Sequence, residues 1–283
     1  MTQTSNVSRL PGILYVVATP IGHLGDVSVR AAEVLLEADV IVAEDTRHTR
    51  RLLNHLGVAS PRLIALHEHN EVRQLSRVIH MLASGQQVAL VSDAGTPLIS
   101  DPGYRLVDRA TSEELRVVAV PGPSAVTAAL SVSGLPTDRF VFEGFLPKKQ
   151  SDRKRILLEI NNNEKTTILF ESPQRLIKLL RELKEFCGGE REIQVSREIT
   201  KKFEEHIGNN INEVLEFFEG KKIIGEITIV IKGINKTKKT NFDESLIKKE
   251  LYALINAGLS LPAASKYLAK KENLTRKIIY NLY

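Results

Sequence analysis

The stretch Val-Ala-Leu-Val-Ser-Asp-Ala-Gly-Thr-Pro-Leu-Ile-Ser-Asp-Pro-Gly-Tyr, residues 88–104, decides the fold. Val88 to Val91 form a short apolar run rich in β-branched residues, which predicts a strand buried on both faces of a parallel sheet. The pattern then breaks at Ser92 into Asp93, Gly95, Pro97, Asp101, Pro102 and Gly103. Gly95 tolerates a positive φ and lets a ligand approach the backbone, the prolines stiffen the loop, and the two aspartates offer carboxylates. From Tyr104 a helical pattern resumes. A turn-dense loop at the carboxyl end of a parallel strand is where open α/β sheets bind ligands. The same residues also suit a rigid strand-to-helix connector, and spacing alone leaves both readings open.

Upstream the unit repeats. Ile13 to Ala18 reads as a strand followed by the turn-rich Thr19-Pro20-Ile21-Gly22-His23-Leu24-Gly25-Asp26, with Ser28 placed to cap a helix. Val40 to Ala43 leads into Glu44-Asp45-Thr46-Arg47-His48-Thr49-Arg50-Arg51, and Leu63 to Leu66 into His67-Glu68-His69-Asn70-Glu71. Downstream, Arg116 to Val120 ends in Pro121-Gly122-Pro123-Ser124-Ala125. Repeated strand, polar loop and helix predict an α/β fold with a mostly parallel sheet and helices on both faces. A Gly/Pro break at 134–136 closes a first domain over 13–136, preceded by a flexible N-terminus over 1–12. A second α/β domain over 137–234 alternates less regularly, with strands near 140–145, 167–170, 193–196 and 225–231, so its sheet is expected to be mixed. Residues 235–241 read as a linker by composition. Residues 242–283 form a basic segment of three short helices with starts at Asp243 or Glu244, Ser260 and Thr275, in the manner of a helix-turn-helix unit; a plain packing bundle is the alternative.

With 42% hydrophobic and 26% charged residues the chain is that of an ordinary globular protein. No uninterrupted apolar run approaches about 18 residues and the N-terminus has no apolar core, so neither a membrane span nor a signal peptide is expected. Cys187, the single cysteine, excludes an intrachain disulfide; set before Gly188-Gly189 at a helix end, it reads as a packing residue. One cysteine and scattered histidines make no metal-ligand cluster, so no metal is expected, and the usage fits a reducing cytoplasm. From Lys236 onward nine lysines and Arg276 face only Asp243, Glu244, Glu250 and Glu272, which exceeds the whole chain's net charge of +5. A basic appendage on a nearly neutral body points to a polyanionic partner, nucleic acid first. No dinucleotide fingerprint, phosphate loop or nucleophile elbow is present. Loops carrying Asp93, Asp45 and Glu171 suit a neutral or cationic cofactor better than a phosphate.

Several motifs occur in a fixed order: Thr-Pro-Ile-Gly-His-Leu-Gly-Asp from Thr19, Ala-Glu-Asp-Thr-Arg-His-Thr from Ala43, and Ser-Asp-Ala-Gly-Thr-Pro-Leu-Ile-Ser-Asp-Pro-Gly from Ser92. Pro-Gly-Pro-Ser-Ala from Pro121, Glu-Gly-Phe-Leu-Pro from Glu143, Phe-Glu-Ser-Pro-Gln-Arg from Phe170 and Arg-Glu-Ile-Thr-Lys from Arg197 follow. Together, from about Leu14 to Ile231, they closely resemble the bacterial 16S ribosomal RNA 2′-O-methyltransferases that modify a cytidine near the decoding centre, a branch of the tetrapyrrole methylase superfamily. The basic helical tail is also similar to that family's C-terminal segment. His23 departs from the pattern, since the family more often has Asn there.

The resemblance implies two α/β domains of the tetrapyrrole methylase type with a cleft between them, S-adenosylmethionine as methyl donor, and 16S rRNA in the assembled small ribosomal subunit as substrate. The superfamily also suggests a homodimer. Carried over by position, the donor site would comprise Thr19, Pro20, Asp93, Ala94, Gly95, Thr96, Ser124, Ala125, Phe170, Glu171, Gly225 and Glu226. A base would help deprotonate a ribose hydroxyl, and Asp45, Glu171 and Lys201 are the alternatives. Arg47, Arg50 and Arg51, with Lys270, Lys271, Arg276 and Lys277 of the tail, are the expected RNA contacts; a solvated helix face is the bland reading of each arginine. Two rivals remain. A corrin-precursor methylase would share fold and donor, but its relatives carry a Gly-x-Gly-Pro-Gly type of loop where this chain has Ala18-Thr19-Pro20-Ile21-Gly22. A ribosome-binding protein that keeps only the fold would lack donor affinity.

Overall fold

Alternating apolar strands and amphipathic helices build the first half into a five-stranded sheet, ordered β3-β2-β4-β1-β5. Its elements are β1 (Ile13–Val17), α1 (Val29–Glu37), β2 (Val40–Ala43), α2 (Thr46–His55) and β3 (Leu63–Ala65). There follow α3 (Glu71–Ala83), β4 (Val88–Val91), α4 (Tyr104–Ser112), β5 (Arg116–Val120) and α5 (Ala125–Ser131). A computed structural model describes residues 10–59, 62–67, 70–234, 244–272 and 276–283. Every strand pair in the first sheet is parallel, so all five carboxyl ends lie at one edge. The side-chain period of two sorts the core. Val40 and Val42 pack with Val78 and Leu82 of α3 and Leu106 of α4 on one face. Ile41 and Ala43 pack with Ala31 and Leu35 of α1 and Leu53 of α2 on the other. The α/β arrangement expected from the sequence, a parallel sheet with helices on both faces, is the one observed. Ser28 caps α1 as read, its hydroxyl accepting from the Ala31 N–H at 3.1 Å.

The second half comprises β6 (Phe140–Phe145), α6 (Gln150–Asn162), β7 (Thr166–Glu171), α7 (Pro173–Cys187), β8 (Glu192–Arg197), β9 (Glu205–Asn210), α8 (Ile211–Phe218) and β10 (Ile227–Ile231). Its sheet runs β6-β7-β10-β8-β9. Only β6 and β7 pair in parallel; the other pairs are antiparallel. β9, absent from the sequence reading, has the polar composition Glu-His-Ile-Gly-Asn-Asn and exists because β8 offers it a free edge. Leucines of α6 and α7 and residues of α8 cover one face; Cys187 packs at its margin. The other face is covered by α5, whose Val126, Ala129 and Leu130 bury against Ile168 of β7 and Val230 of β10. The described residues up to Gly233 form one contact unit, because the last helix of the first half serves as packing for the second sheet.

The remaining unit, Ile234–Tyr283, contains α9 (Glu244–Asn256), α10 (Leu261–Lys271) and α11 (Arg276–Tyr280) around Leu251, Leu268 and Ile279. Ser260 stands at the head of α10 without a side-chain capping bond. The N-terminal residues 1–9, the linker over 235–241 and the expected caps Asp243 and Thr275 lie outside the described residues. Among the described residues no helix is long and apolar enough to cross a membrane.

Candidate active site

The loops at the carboxyl edge of the first sheet are stitched to one another before any ligand is considered. Thr19 and Gly95 form an antiparallel bridge, with Thr19 N–H to Gly95 O at 2.8 Å and Gly95 N–H to Thr19 O at 3.0 Å. The Thr19 hydroxyl donates to the Ser92 carbonyl at 3.3 Å. Asp93 accepts the Asp45 N–H at 3.0 Å, and Thr96 donates to the Pro123 carbonyl at 3.2 Å. Gly95 holds φ +82°, the left-handed conformation its loop called for. Residues 88–104 are thus joined to the loops after β1, β2 and β5.

Between this edge and the second sheet lies a cavity of about 360 Å³. Ala94, Gly95 and Thr96 line it from the first sheet, Ser124 and Ala125 from the head of α5, and Phe170, Glu171, Gly225 and Glu226 from the second sheet. Thr19, Pro20 and Asp93 are not among the lining residues. Thr19 is 3% exposed with its hydroxyl committed to Ser92, and Asp93 fixes the start of α2, so they shape the loops from beneath. The turn after β1 is also tied across to the second sheet, where the His23 N–H donates to the Thr200 hydroxyl at 3.1 Å. His23 itself accepts the Gly25 N–H on Nδ1 at 3.1 Å. An asparagine oxygen makes the same kind of local bond, which accounts for histidine at this place.

Phe145 enters the cavity wall by a device the sequence reading did not use. The β6–β7 register slips between Phe142 and Gly144, and Gly144 sits at φ +62° with the Ser100 hydroxyl 3.0 Å from where a Cβ would stand. In an unbroken strand, Phe142 and Phe145 would point to opposite faces. The bulge brings both against Phe170, with centroids at 4.9 and 5.7 Å, and leaves Phe145 53% exposed at the cavity. The motif Glu-Gly-Phe-Leu-Pro held the signal, since a glycine inside a strand marks a bulge.

The three candidate bases are each engaged otherwise. Arg47 binds Asp45 at 2.6 Å, and that side chain together with the Arg47 N–H holds the carboxyl well below the usual aspartate range. Glu171 has a fully buried side chain, paired with Arg175 at 2.5 Å and flanked by Arg153 at 3.7 Å, so its carboxylate is not presented to the cavity. Burial alone would lower the Lys201 ammonium, but Glu198 at 3.0 Å and Glu226 at 3.1 Å outweigh it and hold it above the usual lysine range. A low-pKa carboxylate, a sealed one and a doubly paired ammonium make poor proton acceptors at neutral pH.

Two carboxyls outside that set have the opposite character. Asp101 lines the cavity; burial pushes its pKa up to about 6, opposed by a hydrogen bond from Ser92 and aided by Asp93. Glu44, at the end of β2, is pushed up to about 7 by burial and then by Asp101 and Asp93. Glu44 and Asp101 stood in the quoted motifs, yet only the closure of the β2 loop onto the β4 loop half-buries them and sets the Asp101 and Asp93 charges against Glu44.

Of the expected RNA contacts, Arg50 and Arg51 are exposed on α2, while the Arg47 guanidinium is held by Asp45. In the tail, Lys270 and Arg276 are exposed and Lys271 is paired with Glu250 at 2.5 Å; the Lys277 side chain lies outside what is described.

The comparisons agree with the fold. The profile of the family described as Tetrapyrrole (Corrin/Porphyrin) Methylases matches residues 13–215. A Synechocystis protein named Ribosomal RNA small subunit methyltransferase I is 43% identical over 271 residues, covering 96% of this chain and 97% of that one. A Thermotoga maritima protein of the same name is 44% identical over 222 residues, covering 78% of this chain and 99% of that one. Among solved structures, diphthine synthase superposes with a TM-score of 0.60 at 18% identity, over 78% of this chain and 90% of that one. Uroporphyrin-III-C-methyltransferase from Thermus thermophilus gives 0.54 at 19%, over 78% and 94%. This chain belongs to the tetrapyrrole methylase family and is a methyltransferase of the branch whose members are named Ribosomal RNA small subunit methyltransferase I.

Proposed function

We propose that this protein transfers a methyl group from S-adenosylmethionine to the 2′-hydroxyl of a cytidine ribose in 16S rRNA near the decoding centre, acting on the assembled small subunit. The observation that carries the donor half is the cavity itself. It has room for a nucleoside-sized ligand, an aromatic wall of Phe145 and Phe170 for a base, backbone of the Ala94–Thr96 turn for polar atoms, and acidic groups compatible with a cation. The RNA half rests on the names of the relatives and the basic tail.

When bound, S-adenosylmethionine brings an already activated methyl group. The chain's own task is then placement, for which near-attack orientation is the largest available term. We assign the proton to the Asp101–Glu44 pair, with Asp101 at the cavity surface and Glu44 as its coupled neighbour. As the ribose oxygen forms its bond to the methyl carbon and the carbon–sulfur bond breaks, the hydroxyl proton passes to Asp101. A carboxylate of raised pKa is a better acceptor than an ordinary one, and such a base contributes about 10²–10⁴-fold.

The deciding experiment is mass mapping of methylated nucleotides in small-subunit rRNA with and without the protein, paired with calorimetry against S-adenosylmethionine. A new 2′-O-methylcytidine together with donor binding is the expected result; no donor binding would sink the enzyme reading. Deleting residues 236–283 should reduce methylation of small subunits while leaving donor affinity intact.

A further inference from the structure

A second hollow, of about 340 Å³, lies beside the donor cavity on the second sheet. Its walls join Phe203, from the loop between β8 and β9, to Phe217 at the end of α8 and to Lys221, Lys222 and Ile224 before β10. Phe203 is 63% exposed and Ile224 57%, an apolar surface left open among cations. Lys202 Nζ stands 5.6 Å from the Phe203 centroid and Lys221 Nζ 3.2 Å from that of Phe217. Arg197 is held by Glu205 at 2.6 Å and by the Ile224 carbonyl at 3.1 Å. Lys202, Lys221 and Lys222, by contrast, form no ion pair among the described residues. Aromatic faces set among unneutralised lysines are how single-stranded nucleic acid is held without reading its sequence.

The loop that presents Phe203 is fixed in advance. Glu198 and Thr200, neither of them glycine, hold φ 54° and 65°. Glu198 accepts the Glu226 N–H at 3.0 Å, and Glu204 accepts the Thr200 N–H at 2.7 Å. Left-handed non-glycine residues persist where surrounding bonds over-determine them, and they cluster at ligand clamps. The hollow is also in register with the chemistry. Ile224 lines it, while the next two residues, Gly225 and Glu226, line the donor cavity.

We infer that this hollow binds an unpaired nucleotide flanking the one that is methylated, its base stacked on Phe203 and its phosphate facing Lys221 and Lys222. The inference rests on the RNA reading above. The full-length protein is titrated into a short fluorescein-labelled single-stranded RNA at several salt concentrations. Phe203→Ala should weaken binding roughly 5- to 100-fold, and Phe203→Trp should restore it. Lys221→Ala with Lys222→Ala should flatten the slope of log affinity against log salt by about 0.7 for each phosphate no longer neutralised. Binding within about two-fold for Phe203→Ala, or an unchanged salt slope for the double lysine variant, would overturn the site. Competition by an acidic peptide but not by RNA would overturn it in favour of a protein partner. Donor affinity, measured separately, distinguishes failure of this site from failure of the methyltransferase reading, because the RNA titration needs no donor.

Discussion

The two sheets of the first unit are unlike in a way that divides the labour of the site. The parallel sheet gathers its loops at one edge, ties them to one another through Thr19, Asp93 and Thr96, and carries Asp101 and Glu44 there as titratable groups of raised pKa. The mixed sheet seals its charges beneath the surface in the Arg153–Glu171–Arg175–Glu182 network and turns aromatic rings outward. Parallel topology brings strand ends together by construction, whereas a mixed sheet needs a bulge or a strained turn to aim a side chain. One side therefore carries half-buried carboxyls of raised pKa, and the other a buried ion network beneath exposed aromatic rings.

That contrast can be broken most sharply at Asp101. Asp101→Asn should lower kcat by about 10²–10⁴-fold with little change in donor affinity, and should remove the rise of the rate with pH through about 6 to 7 that the wild-type pair produces. An unaltered pH profile would take proton transfer away from the parallel sheet. On the mixed side the largest effect belongs to stability. Arg153→Met leaves Glu171 and Glu182 buried with a partner missing and should cost about 3–5 kcal/mol in denaturant unfolding. Equivalent destabilisation by Arg47→Met, whose pair with Asp45 is 88% exposed on the arginine side, would erase the distinction. Phe145→Ala should weaken donor binding by about 10-fold in calorimetry, as expected for a missing stacking face.

The smallest effect concerns Glu44. Its pKa is raised from 4.5 to about 7, so the folded protein binds more protons than the unfolded chain across that window. The contribution of Glu44 to stability therefore falls as pH rises from about 4.5 to 7 and is lowest above it. Glu44→Gln should remove that component of the decline, seen as a higher midpoint of urea unfolding at pH 8 and little change at pH 4.5.

The tail allows a comparison of its own. Aligned over 222 residues, the Thermotoga maritima relative is 99% covered, a span close in length to the 1–233 unit of this chain. We therefore expect removal of the tail to act on RNA engagement and leave donor binding in place.

The sequence by itself determined the parallel sheet, the two-sided helices, the mixed character of the second sheet and the turn-rich loops that border the cavity. Strand runs of β-branched residues, 3.6-residue periodicity and Gly/Pro punctuation are local properties, written along the chain. Tertiary structure decided how the titratable groups near the cavity are held. Asp45, Glu171 and Lys201 were reasonable by type and position; Arg47, Arg175 and Glu198 stand within four residues of them and only their pairing in space shows that they hold those charges, while Arg153 and Glu226 are brought in from distant sequence. Asp101 and Glu44 stand out because the fold half-buries both and sets Asp93 near each of them, and a pKa depends on that surrounding field. The same holds for β9, which forms on an edge that β8 leaves free, and for Phe145, which a single bulge turns into the cavity. In residues 88–104 the sequence marked the strand and the turn; the fold selected Asp101, and not Asp93, as the carboxyl that lines the cavity.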